Sequence, residues 1–232
     1  MKYRAVLASA ALVFSTQTFA TPAMSVVTIN AEDPVAYMEW AQKNGAAIGK
    51  AIEATAGGVC LSIAGFYRPG EVYYWHTFND HASAMGASIY NEGVLEQASK
   101  LRVKRTISRS DSLSLHFSEE LLLDVGDTHS NWNLVISTDD VQSYEEKLTR
   151  INDEATTRGF EDVSLSIHGF LTGEDAGKLL IMVRAPTKER LGNFLDQLDS
   201  DWMAPMMSGL SGIRTYERAL LTNCTVTFVA EK

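Results

Sequence analysis

Two stretches of the chain alternate in the same way. Val59, Leu61 and Ile63 are apolar against Cys60, Ser62 and Ala64, and Val163, Leu165 and Ile167 are apolar against Ser164, Ser166 and His168. A period of two is that of a β-strand with two unlike faces. Ahead of each strand the period changes: Met38, Ala41, Gly45, Ile48 and Ile52 recur at steps of three and four, as do Val141, Tyr144, Leu148, Ile151 and Ala155. Those stripes predict two amphipathic helices. Asp33 before Pro34, and Asp139 or Asp140, supply their N-caps, while Gly57-Gly58 and Gly159 mark their ends. Short apolar runs at 26–29 and 132–136 predict a strand before each helix. Turns at 68–70 and 172–177 lead into strands at 72–78 and 178–183, then into second helices over 80–101 and 187–207. Strands at 105–117 and 214–228 close each half.

The order of elements is therefore written twice, and the residues repeat with it. VCLSIAGF at 59–66 matches VSLSIHGF at 163–170 at every position but the second and sixth. Arg105-Thr106 with Arg109 recurs as Arg214-Thr215 with Arg218. Each half reads β-α-β-β-α-β, the ferredoxin-like arrangement. A sheet with helices on one face must cover the other, and two halves can do this for each other by closing into a barrel with the helices outside. The expected fold is α+β, two tandem ferredoxin-like halves packed as an α/β barrel. Its parts are a leader at 1–20, a first half at 21–118, a linker at 119–130 and a second half at 131–232.

This pattern resembles the dimeric α/β barrel superfamily, as a tandem fusion in one chain, and is similar to its antibiotic-biosynthesis-monooxygenase branch in half length and strand order. The resemblance implies a barrel that is either a monomeric pseudo-dimer or a homodimer. It also implies monooxygenase-like chemistry without a cofactor as one function such a barrel hosts. It is a likeness of architecture: no catalytic signature of the family maps onto this chain, so no residue role carries over.

Residues 1–20 pair a basic start (Lys2, Arg4) with an apolar or small run at 5–14 and small residues at Thr18 and Ala20. That is the order of a secretory signal peptide cut after Ala20, and the run reaches only about half a bilayer core. Export to the periplasm is the expectation, with no membrane insertion. The net charge of −9 becomes −11 once Lys2 and Arg4 are lost with the leader. So acidic a chain argues against a nucleic-acid partner. In an oxidising compartment Cys60 and Cys224 form either one long-range disulfide or two buried thiols.

Strand parity locates the candidate chemistry. If Val163, Leu165 and Ile167 face the helices, then Ser164, Ser166 and His168 face the barrel interior. The first half has Ala64 where the second has His168, which makes His168 the candidate catalytic acid, base or orienting group. By the same reasoning Ser112, Ser114 and His116 point inward, opposite Leu113, Leu115 and Phe117. The strand at 72–78 is apolar or aromatic on both faces, so the side taken by Trp75 and His76 is open. An interior lined by His76, His116, Trp75, Ser164 and Ser166 suits a small apolar or aromatic molecule. Arg105/Arg109 and Arg214/Arg218 share a face within each pair if no bulge intervenes. They serve either as ion pairs at the seam between halves or as a clamp for a ligand carboxylate.

Phosphate-loop, GxGxxG, GxSxG, CxxC and HExxH patterns do not occur as working motifs, and no cofactor or metal is called for. The function expected is an exported small-molecule-binding barrel with monooxygenase-like chemistry on an aromatic or quinone-like compound. The alternative is a non-catalytic periplasmic binding or stress protein.

Overall fold

The computed structural model describes residues 21–118 and 124–231. The leader at 1–20 and the start of the linker thus lie outside the described residues. The first part of the chain runs β1 (Ala23–Ala31), α1 (Pro34–Ala51), β2 (Ala56–Ala64), β3 (Glu71–Phe78), α2 (His81–Gly86), α3 (Glu92–Ser99) and β4 (Arg105–Ser118). The second runs β5 (Thr128–Ser137), α4 (Val141–Thr157), β6 (Ser164–Phe170), β7 (Leu179–Ala185), α5 (Lys188–Leu195), α6 (Met203–Ser211) and β8 (Thr215–Val229).

The caps act as their residue types dictate. Asp33 accepts the Ala36 amide ahead of Pro34, and Asp140 accepts that of Ser143. Helix α1 ends at Ala51 with Ile52 as its cap, before Gly57-Gly58, which belong to β2. These glycines serve packing instead: a Cβ on Gly57 would sit 2.5 Å from His76 Cδ2, and one on Gly58 2.6 Å from Trp75 Cζ2. The second helix of each half is split in two. In the second half the break comes at 196–202, and Pro205 lies in the first turn of α6, where its missing N–H costs nothing.

All eight strands join in one closed antiparallel barrel, in the order β1-β3-β2-β8-β5-β7-β6-β4 and back to β1. The first four strands lie as β4-β1-β3-β2 and the last four as β8-β5-β7-β6, the same arrangement in each. Seams form where β2 meets β8 and β4 meets β6. Closure leaves no edge unpaired among the described strands. The helices pack outside on two apolar cores, one holding Tyr37, Val59 and Val72, the other Tyr144, Ile167 and Ile181. A third core fills the barrel with Met24, Trp75, Leu113, Phe170 and the sulfur pair of Cys60 and Cys224. Those two residues face each other across β2 and β8 and are joined by a disulfide. Among the described residues no helix is long and apolar enough to cross a membrane.

Candidate functional site

One end of the barrel is open, and bulges build it. Between β1 and β4 the register skips Ser108, and between β5 and β8 it skips Glu217. Each extra residue turns the strand, so Arg105 and Arg109 no longer share a face, nor do Arg214 and Arg218. Arg214 turns to the helix side, hydrogen-bonding Tyr144 and stacking on Tyr216. Arg109 and Arg218 turn inward and meet at the mouth.

Arg109 is the hub there. Its guanidinium lies 2.7 Å from Asp111, 2.6 Å from Glu174 and 3.0 Å from Asp175. Asp175, on the β6–β7 turn, also takes Lys178 at 3.2 Å and Arg218 at 3.4 Å. The mouth is thus an ion-pair network that ties the two halves together. Within that network Arg218 is the least engaged cation: it makes that one long contact, its Nε has no partner among the described residues, and it stacks on the exposed ring of Tyr67. Asp111 is 3% exposed and sits under Gly173, whose φ of +82° and contact with the carboxylate leave no room for a side chain. Burial raises the Asp111 carboxyl above its usual range, against the pull of Arg109. Burial also pushes Asp175 up, but Lys178, Arg218 and Arg109 outweigh it and hold that carboxyl low. Tyr73 donates to the buried Glu71 beside this network, and burial and that bond push its hydroxyl up.

The mouth encloses about 660 Å³, with Tyr67, Arg68, Glu71 and Lys178 among its walls. Below it, sharing Thr28, Arg109 and Arg218 as walls, lies an inner cavity of about 70 Å³. Met24, Tyr73, Trp75, Phe170 and Met182 line it, with Asp111, Asn131 and Asn133 as polar points. Trp75 thus faces inward. His76, on the other face of β3, packs edge-on against Tyr74 under the helices, where burial lowers its pKa to about 4.

His168 also points inward, on the mouth side of Ser166 along β6, 7% exposed and 3.1 Å from the Ser166 hydroxyl. Burial, then the charge of Arg184, lowers its pKa to about 3. Ser164 lies beside Arg184 across the β6–β7 ladder. Neither lines the mouth or the inner cavity described above. His116 is a correction: it lies on the outside, half-exposed, paired with Glu145 of α4 at 2.9 Å. Leu113 and Asp111 take the inner face of β4 instead, because the barrel interior there is itself apolar. Parity alone does not distinguish an apolar inside from an apolar outside. A second correction concerns His129, which falls within the predicted linker but lies on β5, 6% exposed. Among the described residues no group of three or more His, Cys, Asp or Glu is placed to hold a metal ion.

Arg109 and Arg218 were marked by the repeat, as a seam or a carboxylate clamp. Asp111 carried no such mark, since one acid in a Ser/Leu alternation looks like solvated surface; Asp175 sits in a turn, where acids are common.

The chain is a mixed α+β fold, a closed antiparallel barrel with its helices outside. Solved structures share it. A candidate monooxygenase from Fusobacterium nucleatum matches with a TM-score of 0.60 at 13% identity, over 92% of this chain and 96% of that one. An anthrone oxidase-like protein matches at 0.57 and 9%, over 91% and 97%. A candidate monooxygenase from Lactobacillus acidophilus matches at 0.53 and 11%, over 90% and 96%. At such identities the likeness is one of fold. No family model and no curated protein sequence matches the chain.

Proposed function

We propose that the chain is an exported, tandemly duplicated barrel that binds a small aromatic or quinone-like molecule at its mouth and acts on it with monooxygenase-like chemistry. The observation that carries this reading is the continuity of the charged mouth with the apolar cavity beneath it through Arg109 and Arg218. A flat ring enters between Trp75, Phe170 and Met182, with its ionisable oxygen on the under-used Arg218 fork. Asp111, buried at the junction, accepts a proton from the bound ring system. Its raised pKa makes it a stronger base than a surface carboxylate, and Arg109 orients it. The fold neighbours named as candidate monooxygenases and as anthrone oxidase-like support the class of chemistry. The order and spacing of residues 1–20 support export, and the matching strand order of the two halves supports duplication.

Oxygen uptake with anthrone-type and hydroxylated naphthalene substrates tests the reading. Turnover in the wild type that is lost in Asp111→Asn, with binding and melting temperature kept, supports it. Turnover that survives this change removes Asp111 from the chemistry. The smallness of the inner cavity favours one second reading, a binding protein without turnover, for which ligand binds but no oxygen is consumed. Protein recovered from the periplasmic fraction with Thr21 at its N-terminus supports export; an uncut chain in the cytoplasm opposes it.

A further inference from the structure

At the end of the barrel away from the mouth, Thr222, Asn131, Arg184 and Ser164 lie side by side across β8, β5, β7 and β6, all on the inner face. Arg184 has no ion pair and no hydrogen bond among the described residues, and its Nε is sealed from solvent. The residue as a whole is half-buried, so its fork is left at this end of the barrel with no carboxylate opposite it. Its neighbours are unsatisfied as well. His129, 6% exposed, has neither ring nitrogen partnered; Asn131, 1% exposed, leaves its Oδ1 free; and His168, 7% exposed, leaves its Nδ1 free. The charge of Arg184 opposes protonation of both histidines, which places them in its field and keeps them neutral. A neutral imidazole still carries one N–H donor.

We infer that this far end is a second binding site, distinct from the mouth, which takes a small oxyanion on the Arg184 fork with His129 and the Ser164 hydroxyl as neutral donors. Two parallel N–H groups match two oxygens of a phosphate, sulfate or carboxylate, and one cation with neutral donors suits a single small anion. Its donors Arg184, His129 and Ser164 line neither the mouth nor the inner cavity, although Asn131 and Thr222 beside them do line that cavity, so anion binding here can be tested apart from the proposed chemistry at the mouth.

Calorimetric titration of the purified chain with sodium phosphate, against sodium chloride of equal ionic strength, is the test. The expected result is saturable one-to-one binding that weakens at least about tenfold in Arg184→Met, which keeps the aliphatic stem and removes the fork. A histidine-detected NMR titration of the unmutated protein needs no variant to fold. Phosphate should move the imidazole signals of His129 and His168 together, with the calorimetric midpoint, and leave His81 on α2 in place. A response no greater than that to chloride, or one in which these two histidines stay silent, overturns the site. The chain's own Glu119 and Glu120 follow β4 in sequence and offer the same carboxylate chemistry. Binding unchanged in the double variant Glu119→Gln/Glu120→Gln supports a free oxyanion, and binding that appears only in that variant overturns it.

Discussion

A histidine sealed from solvent with no carboxylate beside it cannot take a proton at its ordinary pKa, because the charged form loses its hydration, and next to Arg184 it also meets a like charge. His76, His129 and His168 are all in this position, lowered from 6.5 to about 4, about 3 and about 3. The folded protein therefore keeps them neutral while the unfolded chain protonates them below about pH 6.5. Their contribution is complete above that value and is lost as the pH falls towards 3, at about 1.4 kcal/mol per pH unit for each histidine. Denaturation midpoints measured across this window should fall steeply, and His76→Gln should make the fall shallower; an unchanged slope would mean that His76 is not neutral in the fold. His168→Ala should lower the melting temperature and leave oxygen uptake at the mouth intact, and lost turnover with unchanged melting would move the chemistry to His168. The inward placement of His168 was legible because Val163, Leu165 and Ile167 pack against helices. That of His116 was not, because Leu113 and Leu115 alternate with serines in a way that fits either face.

At the level of elements, what could be read was what local physics decides. Asp33-Pro34 and Asp140 start helices, and the three-four steps of Tyr144, Leu148, Ile151 and Ala155 bury one face of α4. What could not be read depends on partners far along the chain. Nothing in the residues around Ser108 or Glu217 announces a bulge, yet those two bulges send Arg109 and Arg218 inward and so create the mouth. Gly57-Gly58 read as a helix stop, but they are strand glycines selected by the close approach of Trp75 and His76. Gly58→Ala should therefore destabilise the protein by about 1–3 kcal/mol, since the new methyl meets both the Trp75 ring and the Thr225 carbonyl. Urea denaturation measures it. A neutral result would mean that β2 and β3 are not packed as closely as described.

For the whole molecule, strands β1–β4 and β5–β8 are joined by the two seams of strand pairing and tied twice more, once at the mouth and once inside. The ion pairs of Arg109 with Glu174 and Asp175 span the mouth, and the disulfide spans the β2–β8 seam within the interior core. A crosslink between residues separated by 164 in sequence removes much freedom from the unfolded chain. Reduction, or Cys60→Ala with Cys224→Ala, should cost about 2–5 kcal/mol in thermal or urea unfolding. Equal stability with and without reductant, or two thiols that alkylate in the unreduced denatured chain, would deny the bond. The pairing of far-apart cysteines was open in the sequence, because a Cα separation of 3.9 Å is a property of the closed barrel.

That a ring enters the barrel through the mouth is tested most directly at Trp75. The chain has four tryptophans, of which Trp75 lines the inner cavity while Trp132 packs among the helices outside. With 5-fluorotryptophan incorporated and the Trp75 signal assigned through Trp75→Phe, fluorine NMR can follow a titration with a hydroxylated naphthoquinone. The Trp75 resonance should shift saturably while that of Trp132 stays in place, and Arg218→Met should weaken the effect. A Trp75 signal that does not move while the compound binds elsewhere, or does not bind at all, would contradict a site inside the barrel.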